Sequence, residues 1–265
     1  GYITEGLVTK EFENDVAAYV GCNHAIALTS CSAALEIALR VLDVGPGDEI
    51  IAPDFTYPIT AGVAFLVGAK PVLVDVKLDD YKIDFAEVEK AITPKTKAVL
   101  PVLIFGNPVD IKPLRELQEK HGFAIIEDAA CPRVQLSKIE KIIVERQRKA
   151  RIYDELLSPY SRWLSTPFKK PGYKYNYQSY CIYLKIPKIR DQLIAEMKHF
   201  GIETQIGTFC PHLQPVFKNT RRIGDCQNAV KAFENILTLP MAPQITEEDQ
   251  KYVVEKLVEL LRKRA

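Results

Sequence analysis

With 265 residues, a net charge of +1 and 26% charged residues, the chain lacks the basic surplus of a nucleic-acid binder and the charge excess of a disordered tail. It has no run of about 18 apolar residues to cross a membrane. Its six cysteines include no C-x-x-C pair, which fits reduced thiols in a cytoplasmic protein better than a disulfide framework or a zinc site.

The expectation is a globular protein with no nucleic-acid partner, no membrane partner and no metal. The chain opens on Gly1 without an initiator Met or a signal-peptide pattern, so the true N-terminus is expected to have been lost.

After the glycine-bracketed opening Gly1-Tyr2-Ile3-Thr4-Glu5-Gly6, residues Phe12, Val16, Ala17, Tyr19 and Val20 share a helical face closed by Gly21. Residues 24–29 read as a strand running into Ser30-Cys31-Ser32-Ala33-Ala34 and a helix with Leu35, Ala38, Leu39 and Leu42 inward. Small hydroxyl residues at such a junction leave backbone N–H groups free at a positive dipole end, which suits a phosphate. An ordinary serine N-cap is the competing reading.

Gly45-Pro46-Gly47-Asp48 makes a turn before a strand at 49–52. Tyr57 stands at that strand's end, placed either to stack on a flat cofactor or to cover a core edge. A helix through Phe65, a strand at 71–76, a helix at 85–92 capped by Asp84 and a strand at 98–104 follow. Asp110 caps the next helix, which stops at Gly122. The alternation specifies an α/β fold, a mainly parallel sheet covered by helices.

Phe123-Ala124-Ile125-Ile126 reads as a buried parallel strand that delivers Glu127 and Asp128 to its carboxyl end, where ligands bind in open α/β sheets. Asp128 there either answers a positive partner or caps the next turn. A long helix then begins near Pro132, with Ile139, Ile142, Ile143, Ala150, Tyr153 and Leu157 on one stripe.

Residues 158–176 read as irregular chain leading into a small α+β domain. That domain has strands at 177–184 and 203–206, helices at 190–200 and 228–237, and a final helix opened by Thr246-Glu247-Glu248-Asp249. The expected domains are a cofactor-binding unit at 1–131, a connecting helix at 132–157 and the small domain at 158–265. No G-x-G-x-x-G follows any strand, which argues against a nicotinamide-binding protein.

In their order and spacing these motifs resemble the DegT-type nucleotide-sugar aminotransferases, pyridoxal phosphate enzymes of the fold type I class. The resemblance is carried by the opening segment, Leu28-Thr29-Ser30-Cys31-Ser32-Ala33-Ala34-Leu35, Gly45-Pro46-Gly47-Asp48-Glu49-Ile50 and Phe55-Thr56-Tyr57. Gly68-Ala69-Lys70-Pro71, Glu127-Asp128-Ala129-Ala130, Gly201-Ile202-Glu203-Thr204 and His212-Leu213-Gln214-Pro215 complete it. It implies pyridoxal 5'-phosphate as cofactor, with Asp128 on the pyridine nitrogen, Cys31 and Ser32 at the phosphate, Tyr57 on the ring face and Cys131 near the ring hydroxyl. It further implies His212 near the substrate mouth, a nucleotide-sugar substrate, an amino-acid donor such as glutamate, and a homodimer.

The junction after Cys131 departs from the family, because the stretch that carries the Schiff-base lysine has no counterpart here. Three readings compete: a segment lost from the chain as given, a naturally shortened protein acting as a scaffold or regulator, or a lysine-free relative such as a sugar dehydratase. The first is favoured, because deleting central strands would expose sheet edges and halve the core.

Overall fold

The computed structural model describes residues 6–129 and 138–264. Cys131 and the opening pentapeptide therefore lie outside the described residues.

Helix α1 (Leu7–Val20) ends at Gly21 in the left-handed conformation, as the sequence suggests, yet buries none of its side chains. Residues 24–29 do not form the expected strand. A strand exists through a neighbour's hydrogen-bond ladder, and none is available here among the described residues. Ile26 is accordingly 78% exposed.

Helix α2 (Cys31–Val41) starts where the hydroxyl-rich turn predicts, with the Ser30 side chain accepting from Ala33 N. It buries Leu35 and Leu39, while Leu42 turns outward.

The first sheet is built from β1 (Glu49–Pro53), β2 (Lys70–Val74), β3 (Thr96–Val99), β4 (Ala124–Ile125) and β8 (Arg221–Arg222), in the order β4-β3-β1-β2-β8. Every pairing is parallel. Helices α3 (Pro58–Leu66), α4 (Phe85–Ala91) and α5 (Lys112–His121) connect the strands. Two apolar clusters result, one containing Leu35, Leu39, Ile50, Val63 and Ala98, the other Ile51, Val72, Val88, Val99 and Leu114. Strand β3 begins two residues before its expected start and gives way at Ile104–Gly106 to a 3-10 turn in which Phe105 has a positive φ. Asp110 accepts from Lys112 N but does not occupy the N-cap position, which is Ile111.

Helix α6 (Ile139–Leu157) leads to the second sheet. This is made of β5 (Leu164–Ser165), β6 (Tyr180–Leu184), β7 (Gln205–Ile206) and β9 (Ile236–Leu239), all antiparallel and in the order β5-β6-β9-β7. Strand β9 corrects the expectation of a helix through Leu237, because α8 (Gln227–Asn235) stops two residues earlier. Helices α6, α7 (Arg190–His199) and α9 (Glu247–Arg262) supply a core around Tyr153, Tyr180, Leu193 and Leu257. The Thr246–Asp249 capping box opens α9 as the sequence indicates.

The later half of the chain also grips the first sheet. Besides β8, the N-terminal N–H groups of Asn228 and Ala229 both donate to the Asp75 carboxylate, at 3.0 and 2.8 Å. An acidic side chain at a helix N-terminus answers the dipole and its unpaired donors together.

Candidate active site

Asp128 sits just beyond β4, at the carboxyl end of the parallel sheet. Its backbone N–H donates to Pro101 O, and Leu103 N donates to its carbonyl, so the residue is stitched alongside Val102 by an isolated parallel bridge. The side chain is buried. Thr60 Oγ1 donates to Oδ2 at 2.7 Å, and Cys31 Sγ donates to Oδ1 at 3.4 Å. Thr60 Oγ1 is in turn 3.1 Å from Thr56 Oγ1. Thr56 and Thr60 are four residues apart across the start of α3, the spacing that puts two side chains on one helical face.

Partial desolvation of this still exposed side chain, reinforced by the adjacent Asp128 carboxylate, raises the Cys31 thiol to about 11. Cys31 and Ser32 occupy the first turn of α2, where intrahelical geometry leaves backbone N–H groups without partners. The Asp128 carboxylate and this positive helix terminus therefore share one corner of the molecule.

Tyr57 N-caps α3, is 63% exposed and meets Phe209 edge-on with centroids 5.9 Å apart. It borders a cavity of about 160 Å³ whose lining also includes Thr56, Phe105, Asp128, Ser179 and Thr208. Among the described residues no lysine lines this cavity.

Of the sequence-derived candidates, Asp128 and Cys31 are brought into contact, and Ser32 follows on the same helical turn. Tyr57 shares the Asp128 cavity. His212 stands apart, its Nδ1 against the buried Asp54 carboxylate and its ring outside that lining. Thr60 and Asp54 were not singled out from the sequence. The signal for Thr60 is its four-residue spacing from Thr56; Asp54 had only its position at a strand end.

The profile of the DegT/DnrJ/EryC1/StrS aminotransferase family matches residues 1–132 and 129–258. The chain belongs to that family. A pleiotropic regulatory protein of Geobacillus stearothermophilus is 31% identical, in an alignment covering 97% of this chain and 90% of the relative. Among solved structures, the putative sugar aminotransferase Spr1654 from Streptococcus pneumoniae, in its PMP form, superposes with a TM-score of 0.91 at 22% identity, covering 99% of this chain and 94% of that one. DesV of S. venezuelae gives 0.88 at 24% identity, covering 97% and 90%. The shared architecture is the fold type I of pyridoxal phosphate-dependent aminotransferases.

The two family matches meet at 129–132, and the Geobacillus alignment runs over 338 residues although this chain has 265. Relatives thus carry an internal stretch that this sequence does not.

Proposed function

We propose that the chain binds pyridoxal 5'-phosphate and serves amino transfer from glutamate to a keto group of a nucleotide-linked sugar. The observation that carries this reading is the buried Asp128 carboxylate, held by Thr60 beside the first turn of α2 and open to the Tyr57 cavity. The ring and phosphate ends of the cofactor fit these residues. Asp128 would hold the protonated pyridine nitrogen, and the first-turn N–H groups of Cys31 and Ser32 would hold the phosphate. Tyr57, with its ring largely exposed, would cover one face. Cys131 would stand near the ring hydroxyl.

When bound, the cofactor supplies an electron-withdrawing ring through which the α-proton of an amine becomes removable. Asp128 favours that chemistry by keeping the ring nitrogen charged, and Thr60 keeps Asp128 aimed. Proton removal needs a base and the cofactor needs an anchor. The lysine-free cavity supplies neither. We assign both to the internal stretch that relatives carry opposite the 129–132 junction. Catalysis accordingly belongs to a chain that includes that stretch, acting as a cytoplasmic homodimer.

The absence of a lysine from the cavity lining favours a second reading, a relative that binds a sugar nucleotide for regulation or dehydration. The Geobacillus relative bears a regulatory name.

Equilibrium dialysis with pyridoxal phosphate tests the first reading. The 265-residue chain should bind it, Asp128→Asn should bind roughly tenfold or more weakly, and intact mass after borohydride should show no adduct from the cavity. A chimaera carrying the Geobacillus stretch should acquire a borohydride-stable adduct and release an amino sugar when given glutamate. Failure of the chain to bind the cofactor would overturn the proposal. Binding without turnover by the chimaera would favour the second reading.

A further inference from the structure

Asp54 follows β1 directly and is fully buried. Among the described residues its one ion-pair partner is His212. The His212 backbone N–H donates to Oδ1 at 2.9 Å and fixes the carboxylate, leaving Oδ2 facing two more donor atoms. These are His212 Nδ1, in direct contact with it, and Cys210 Sγ at 3.5 Å. Cys210 Sγ and His212 Nδ1 are themselves 3.3 Å apart. The buried thiol of Cys226 donates instead to Ile223 O at 3.6 Å.

We propose that Asp54, Cys210 and His212 form a binding site for a late first-row divalent cation, zinc being the best fit, with the fourth position left to solvent. One carboxylate oxygen, one imidazole nitrogen and one sulfur make a borderline-soft donor set suited to zinc. Zinc bond lengths of about 2.0–2.3 Å at tetrahedral angles place donor atoms roughly 3.3–3.7 Å apart. The two sulfur edges, 3.3 and 3.5 Å, already fall in or close to that range. Only the hydrogen-bonded edge from Asp54 to His212 must open.

The cation also answers an electrostatic problem, since a buried carboxylate with a single neighbouring imidazole is poorly compensated. Binding would release the Cys210 thiol proton, and the proton between His212 Nδ1 and Asp54, to solvent. The backbone N–H of His212 on Oδ1 is the kind of supporting contact that orients a ligand carboxylate.

No sequence spacing announces such a site, because its donors lie at positions 54, 210 and 212. Occupancy would tie the end of β1 to the loop after β7. Thr56 and Thr208, two residues from Asp54 and Cys210 respectively, line the Asp128 cavity, so the cation would fix two of its walls.

The test uses the full chain carrying Cys22→Ser, Cys31→Ser and Cys131→Ser, titrated with Co²⁺ alone. The expected result is one equivalent bound, with sulfur-to-cobalt charge-transfer absorption and tetrahedral d–d bands, displaced by Zn²⁺. Adding Cys210→Ala or His212→Gln should abolish or strongly weaken both signals. Absence of charge transfer in the triple variant would overturn the proposal, as would a spectrum unchanged by Cys210→Ala. If the added substitutions unfold the chain, Zn²⁺-induced thermal stabilisation of the triple variant decides instead: a rise in melting temperature supports the site and no rise overturns it.

Discussion

Thr60 Oγ1 donates to Asp128 Oδ2 across 2.7 Å, bridging 68 residues of sequence and joining the start of a helix to the end of a sheet. The contact makes α3 part of the site, because Asp128, the one cavity-lining carboxylate among the described residues, takes its orientation from that helix.

Thr60→Val should therefore lower stability by about 1.5–3 kcal/mol, the usual worth of a hydrogen bond to a charged group. Thr60→Ser should recover most of the loss. Urea melts of the three proteins check this, and a valine variant as stable as the parent would remove Thr60 from the role assigned to it.

Cys31 should be slow to alkylate. With its thiol raised to about 11, the thiolate is scarce at pH 8 and the rate should climb until about that value. Asp128→Asn removes the charge and hydrogen-bond contributions and should shift the profile downward, while the partial desolvation persists. The linkage has a definite sign. The folded thiol holds its proton above the unfolded value of 9.0, so this group's contribution to stability falls as pH rises from about 9 to 11 and is complete below that window. Peptide mapping after timed alkylation across the pH range measures the rate.

Gly207→Ala should be destabilising by about 1–3 kcal/mol, the cost of overpacking. A Cβ there would stand 2.5 Å from Ile236 Cγ2 and 3.0 Å from Phe105 Cζ. Gly207 also lines the Asp128 cavity, so the displaced Phe105 should weaken pyridoxal phosphate binding as well. Thermal melts and dialysis read the two effects separately.

Lys149 is the buried lysine most easily mistaken for a cofactor anchor. Its Nζ donates to Ala242 O and Pro243 O at 3.0 and 2.6 Å, in the loop between β9 and α9. Lys149→Gln should cost about 2–4 kcal/mol by leaving those carbonyls underpaired, and leave pyridoxal phosphate affinity unchanged. A large loss of affinity in a folded variant would contradict that assignment.

What the sequence disclosed about the fold was largely local. The Ser30 cap, the Gly122 stop and the Thr246–Asp249 box need only neighbouring residues, and each is found where its pattern points. Strand β8 depends on β2, almost 150 positions earlier, and consists of two arginines that carry no strand signature. Residues 24–29 show the converse, a strand-like pattern with no ladder to join. At the candidate site, Asp128 was legible from an apolar run ending in acid. Asp54 was not, since its partners at 210 and 212 are reached only through the folded chain.

The two margins of the first sheet differ in a way that matters at the bench. Strand β8 presents arginines at one margin, and charge discourages a foreign strand from docking. The opposite margin is β4, two small or apolar residues with no such guard. Anyone concentrating this protein should expect light scattering to grow with concentration more than with salt, and a lysine placed at the exposed Ile26, rather than at Ile125 which packs on the core, to improve recovery.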